Sequence, residues 1–175
     1  KAVALDETLP EAHVSLGGVL MFYDYDWPSA EREFQRALDI KPSYAEAHDY
    51  YAMFLVANRR FQAAVDEILR ARQLDPVSGL IAADAAWVFS LKRDYDQFME
   101  QAKAAVELAP NYWLGRLQLG LAYEMKGDFT RALQELEEAR RMDDNSGVLE
   151  MLAGTYAAAG RPDEARRITE EMVKR

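Results

Sequence analysis

The chain has no cysteine in its 175 residues. That excludes a disulfide framework, a thiol nucleophile and any cysteine-based metal site. Histidine is nearly as scarce, with only His13 and His48 present. No apolar run approaches the roughly 20 residues that a membrane-spanning helix needs. Positive charge is in deficit: 21 Lys and Arg stand against 30 Asp and Glu, for a net charge of −9. Nucleic acid and anionic membranes are therefore poor partners, and a basic partner is favoured. The opening residues show no signal-peptide pattern, and the lack of cysteine is compatible with a cytoplasmic setting, which is the default expectation. What is plentiful is apolar surface. At 50% of the residues it is enough to build a core, which excludes global disorder.

The apolar residues are punctuated at a fixed interval. Pro42, Pro76 and Pro110 are spaced by 34 residues each, and Asp144 falls 34 further on. Self-similarity at such a period marks a repeat array. The clearest unit, 113–144, reads as two amphipathic helices around a Gly127-Asp128 turn. Leu114, Leu117 and Leu121 keep a helical period in its first half, and Leu133, Leu136 and Met142 do so in its second. Gly127 suits a positive φ after the first helix, and Asp128 suits the cap of the second. Gly120 and Ala132 are small where two helices must approach closely.

With Leu119-Gly120, Tyr123, Ala132, Leu136 and Ala139 in this order, the unit resembles the tetratricopeptide repeat (TPR) family. The resemblance covers essentially the whole chain. It implies an all-α, right-handed superhelical solenoid of antiparallel helix pairs. First helices would line a concave groove and second helices would face outward. The expected organisation is a single solenoid over 1–175, with the tail of a preceding repeat at 1–9. Repeats follow at 10–44, 45–78, 79–112, 113–145 and 146–175. Glu7 stands where later repeats place proline. The first repeat is one residue too long, with the excess expected within 23–28, where Asp26 would cap a helix opened by Pro28. In the third, Phe98 and Ala102 exchange the usual small and large positions, which predicts a repacked pair rather than a broken one. The fifth loses one residue within 143–147 and ends in a polar helix, as an array needs where it meets water. The chain thus reads as a piece of a larger protein that starts in mid-repeat and completes its array at the C-terminus. The 25–28 turn and the sequence after it resemble repeat modules appended to bacterial kinases or transcription regulators.

Candidate sites follow from this frame. His13 and His48 fall at the same position of successive first helices, which suits a recurrent packing slot better than a metal or acid/base pair. The 143–147 stretch lacks calcium-loop spacing. No phosphate-binding loop or nucleophile motif is present, so neither enzymatic activity nor a cofactor or metal is expected. The family's groove positions carry Glu11, Val14, Gly18 and Met21 in repeat one, then Glu46, Asp49, Met53 and Val56 in repeat two. Repeat three supplies Leu80, Ala83, Trp87 and Ser90, with Asp84 alongside. Repeat four supplies Leu114, Leu117, Leu121 and Glu124, and repeat five Gly147, Glu150 and Gly154. The partner-binding groove is accordingly Glu11, Val14, Met21, Asp49, Met53, Asp84, Trp87, Leu114, Leu117, Leu121 and Glu124. It suits a protein or peptide with apolar anchors and basic flanks. The alternative is that Trp87 and Leu121 pack on each other and the carboxylates form a solvated face. Chaperone-binding members grip a terminal carboxylate with a basic clamp, whereas Asp49, Asp84 and their neighbours would repel one. The second functional reading is a structural or regulatory spacer, or a self-association module, of a larger kinase- or regulator-type protein.

Overall fold

In the computed structural model, residues 7–174 are described, so residues 1–6 of the expected 1–9 tail lie outside them. Among the described residues there are ten α-helices and no strand. They come as consecutive pairs, each pair joined by a short turn. The chain divides into two compact units, Lys1–Val77 and Ser78–Arg175.

Unit 1 holds α1 (Pro10–Val19), extended by a π-helical turn over Leu20–Asp24, and then α2 (Trp27–Ile40). It continues with α3 (Ala45–Ala57) and α4 (Phe61–Leu74). Its interior is aromatic. The Phe34 ring lies 5.9 Å from that of Phe54 and 6.3 Å from that of Tyr51, while Trp27 lies 6.0 Å from Phe54. These tilted contacts suit the ring quadrupoles and bury large apolar area. Gly17 makes room for them: a Cβ there would lie 2.6 Å from the Phe34 ring.

Unit 2 holds α5 (Gly79–Lys92), α6 (Tyr95–Leu108) and α7 (Trp113–Met125). After these come α8 (Phe129–Met142), α9 (Ser146–Ala158) and α10 (Pro162–Val173). Its C-terminal core is mostly aliphatic, built on Leu133, Leu136, Leu149, Leu152 and Ile168 with Tyr156, and Ala165 and Met172 of the polar last helix pack on it. Gly120 repeats the device of Gly17, since a Cβ there would lie 2.7 Å from Leu136 Cγ. The third pair is intact. Phe98 is buried on α6 and Ala102 faces inward with Ala85 and Ala86, so the exchange conserves volume.

Helix punctuation follows local chemistry. Asp26, Asp94 and Asp128 cap α2, α6 and α8 by accepting from the backbone amides of Ser29, Gln97 and Arg131. The turn after each first helix has one residue at positive φ: Tyr25, Arg59, Arg93, Gly127 and Gly160. In four repeats the closing amide reaches back five residues, as from Asp128 to the Tyr123 carbonyl at 3.0 Å. In the first, Asp26 reaches back six, to Leu20 at 2.9 Å. The extra residue thus lies between Leu20 and Asp26, absorbed as the π turn, in a stretch that overlaps the expected 23–28 and begins before it. The connection from α8 to α9 is one residue shorter than its counterparts, and Asn145 caps α9 there.

Candidate functional site

The first helices carry the expected groove positions, and burial sorts these into two classes. Val14, Met21 and Asp49 are buried. Val14 sits in a cluster with Ala37 and Ala47, against Tyr50, because α3 packs over this position of α1. These three offer little area to a partner in this structure, a correction to their expected place in the groove. Glu11 is exposed and Met53 is half-buried in unit 1.

In unit 2, Asp84, Trp87, Leu114, Leu117, Leu121 and Glu124 are all half-buried. Leu114 leans on Ala82, Ala83 and Ala105, and Leu117 leans on the aliphatic core. Each therefore has its inner side packed and its outer side open. Trp87 and Leu121 hold the same register on α5 and α7, while Gly154 holds it on α9 and is exposed. Glu124 is positioned by Thr155, whose hydroxyl donates to it across from α9. Burial pushes the Asp84 carboxyl up to about 6, from an ordinary value near 3.8. It sits one turn from Trp87 on the same face.

The two histidines occupy a recurrent slot, and the structure shows what fills it. His13 Nδ1 is 2.6 Å from Glu33 on α2, and His48 Nδ1 is 2.5 Å from Glu67 on α4. Each histidine's Nε2 meets a backbone carbonyl six residues earlier, that of Glu7 at 3.1 Å and of Pro42 at 3.0 Å. Glu7 thus does stand in the register of proline. At the same register in unit 2, Arg116 donates to Glu135 at 2.7 Å. The slot ties the two helices of a pair together, and nothing at it converges on a substrate. For His48, burial opposes protonation, but the hydrogen bonds to Glu67 and to the Pro42 carbonyl, with the charge of Glu67, outweigh it and raise the pKa. The carboxylate half of this slot escapes the sequence reading, although Glu33, Glu67 and Glu135 recur at the repeat interval.

Two concavities complete the picture. An open cleft of about 840 Å³ in unit 2 lies along α8 and the ends of α7 and α9. Its charged groups are already engaged within the chain: Asp128 with Arg131, Arg141 with Glu138, Arg161 with Glu164, and Glu137 with the Tyr156 hydroxyl. A smaller notch of about 250 Å³ lies in unit 1 between α1, its π turn and α3. Among the described residues no helix is long and apolar enough to cross a membrane.

Comparison with known proteins agrees with the architecture. A family model described as Tetratricopeptide repeat matches residues 23–79 and 84–147, and a second of the same description matches 123–175. The chain belongs to the tetratricopeptide repeat family. The TPR repeat-containing thioredoxin of Arabidopsis thaliana is 25% identical over 130 residues, which is 74% of this chain and 34% of the plant protein. The chain spans about a third of the length of the curated relatives it matches. A thermophilic TPR protein of Thermus thermophilus superposes with a TM-score of 0.84 at 22% identity, covering 94% of this chain and 90% of that one. YrrB, a TPR protein with an unusual peptide-binding site, superposes at 0.67 and 18% identity, covering 99% and 90%.

Proposed function

We propose that the chain is a non-catalytic protein-binding scaffold whose first helices receive a peptide or helix, and that it serves as one module of a larger bacterial cytoplasmic protein. The observation that carries this reading is the register shared by Trp87 and Leu121. Two large apolar side chains on neighbouring first helices keep their outer sides open, next to an exposed glycine on the third. Half-open aromatic and aliphatic anchors of this kind dominate the energetics of interfaces. Leu114 and Leu117 extend the apolar strip, and Glu124 and Glu150 edge it with negative charge. Apolar anchors with basic flanks are the complementary partner chemistry.

The test is to pan a random peptide library against the chain in parallel with a Trp87→Glu/Leu121→Glu variant whose helicity is checked by circular dichroism. Peptides with apolar anchors and Lys or Arg flanks, enriched on the native chain and lost on the variant, are the expected result. Equal enrichment on both would remove the strip from the binding surface. No enrichment on a folded chain would favour the spacer role instead.

A further inference from the structure

The π turn of the first repeat has a consequence on the surface. A regular first helix in this array closes with a five-residue reach-back, and its end exposes one large apolar residue in repeats three and four, Leu91 and Met125. Repeat one, with its six-residue reach-back, exposes a cluster there. Val19, Phe22, Tyr23 and Tyr25 are all exposed, Tyr23 at 78% and Phe22 at 55%. Tyr25 moreover takes φ 54, a costly conformation for a bulky residue that is held here by the closing hydrogen bonds. Such π insertions concentrate at functional sites. Three of these side chains do not splay into solvent at random. Val19, Phe22, Tyr23 and Gly18 line the 250 Å³ notch from α1 and its π turn, and Tyr50 and Glu46 line it from α3.

The notch is smaller than the roughly 300–1,000 Å³ pockets that hold drug-sized ligands, so it has room for a side chain rather than a cofactor or a helix. Its chemistry is one-signed. Among the described lining residues Glu46 alone carries charge. Tyr44 donates to Glu46 at 2.6 Å, which fixes the carboxylate while leaving it acceptor capacity. Burial raises the Tyr44 pKa, and Glu46 and Glu11 raise it further, so the phenol keeps its proton and remains a donor to Glu46. Lys41 sits 4.9 Å over the Tyr44 ring but does not line the notch. Aromatic walls beside a carboxylate are the arrangement that accepts a long cationic side chain, with its stem on the rings and its head on the acid.

We infer that the notch of unit 1 is a pocket for a single arginine side chain of a partner polypeptide, set next to an apolar partner residue that covers Val19 and Phe22. The assignment rests on the reading of the chain as a peptide-binding module and names one subsite of it. Arginine fits better than lysine, because its planar guanidinium stacks on a ring while bonding the carboxylate with paired donors.

The test uses the whole chain and short capped peptides with Leu-Arg at the centre of an alanine-glycine sequence. A matched peptide carries citrulline in place of arginine. Binding is followed by fluorescence anisotropy and mapped by amide NMR. The arginine peptide should shift the amides of Gly18, Phe22, Glu46 and Tyr50, and the citrulline peptide should bind about tenfold more weakly, as expected for loss of one charge-assisted hydrogen bond. Glu46→Gln and Phe22→Ser, both at exposed positions and both checked for unchanged Tm, should each weaken the arginine peptide several-fold. Equal binding of the two peptides would overturn the assignment. So would arginine-peptide binding that ignores Glu46→Gln and Phe22→Ser but is lost in Trp87→Glu/Leu121→Glu, an outcome that leaves the binding module itself standing. Absence of binding at millimolar peptide overturns the notch, and the library panning then decides separately whether the module reading survives.

Discussion

Both units place a tie between the helices of a pair at one register, yet they fill it with different chemistry. In unit 1 both ties are histidine–glutamate pairs, His13 with Glu33 and His48 with Glu67. In unit 2 the same register holds Ala82 with Gln101, then Arg116 with Glu135, then Leu149 with Ile168. The two sides of the slot change together: a cation faces an acid, a small residue faces an amide, an aliphatic faces an aliphatic. A cation without its acid would leave a charge stranded in a half-buried layer, which explains why the slot changes as a pair. The cores differ in parallel, aromatic around Phe34 in unit 1 and aliphatic around Leu136 in unit 2. One backbone plan thus supports a half whose ties are built on histidine and a half whose tie is built on arginine.

The largest effect should come from removing the aromatic centre of unit 1. Phe34 is fully buried, so Phe34→Ala is expected to cost about 3–5 kcal/mol. Repeat arrays sum local and nearest-neighbour terms, so amide-exchange protection should fall most within 10–74 and less within 79–173. A uniform fall over both units would mean that the division has no energetic counterpart.

Next in size is Asp84, which has neutral Tyr50 as its counterpart in unit 1. Its folded pKa of about 6 lies above the ordinary value, so the native state binds the extra proton between these limits. Stability is therefore higher at pH 4 and is lost as the pH climbs through 6. Asp84→Asn should stabilise the chain by about 1–3 kcal/mol at pH 7 and by almost nothing at pH 4. Denaturant melts at the two pH values measure it, and a variant that destabilises at pH 7 would show that the carboxylate is held by attraction rather than merely buried. The same Asn tests the binding surface, because a neutral residue there should leave apolar anchoring on Trp87 intact.

The helix pairs, the Gly127-Asp128 turn, the Asp26 cap and the lost loop residue were legible in sequence because each depends on local chemistry repeated at one interval. Side-chain depth was less legible. Val14, Met21 and Asp49 belong to groove positions by register, but whether such a position opens or closes depends on how the neighbouring first helix packs over it, and that is a tertiary property. The aromatic notch was missed for a related reason. The surplus residue was visible as a break in the 34-residue interval, but whether it would lengthen the turn or wind into the helix as a π turn depends on competing hydrogen bonds. The readable signal was the cluster of Phe22, Tyr23 and Tyr25 at the end of a first helix, where other repeats carry fewer aromatics.

The smallest and sharpest test exchanges the slot chemistry itself. His48 has a raised folded pKa, so its tie with Glu67 contributes fully below the unfolded value near 6.5 and is lost as the pH rises through the folded one. Amide exchange within 45–74 should therefore quicken above neutrality beyond the intrinsic base-catalysed trend, and His48→Gln should flatten this excess at a cost of about 1 kcal/mol below pH 6. A guanidinium does not titrate in that range, so the 113–142 pair, tied through Arg116, should show no such excess. Arg116→His transplants the unit 1 chemistry. The exchange is mild because only Nη1 of Arg116 reaches Glu135, while its buried Nε has no hydrogen-bond partner among the described residues. A histidine that reaches Glu135 loses little and removes that orphan, so the net cost below pH 6 should be about 1 kcal/mol or less. The α7–α8 pair should then acquire the pH dependence of α3–α4. If it stays flat while His48→Gln flattens its own pair, the carbonyl at Pro42, and not the carboxylate alone, is what sets the histidine tie.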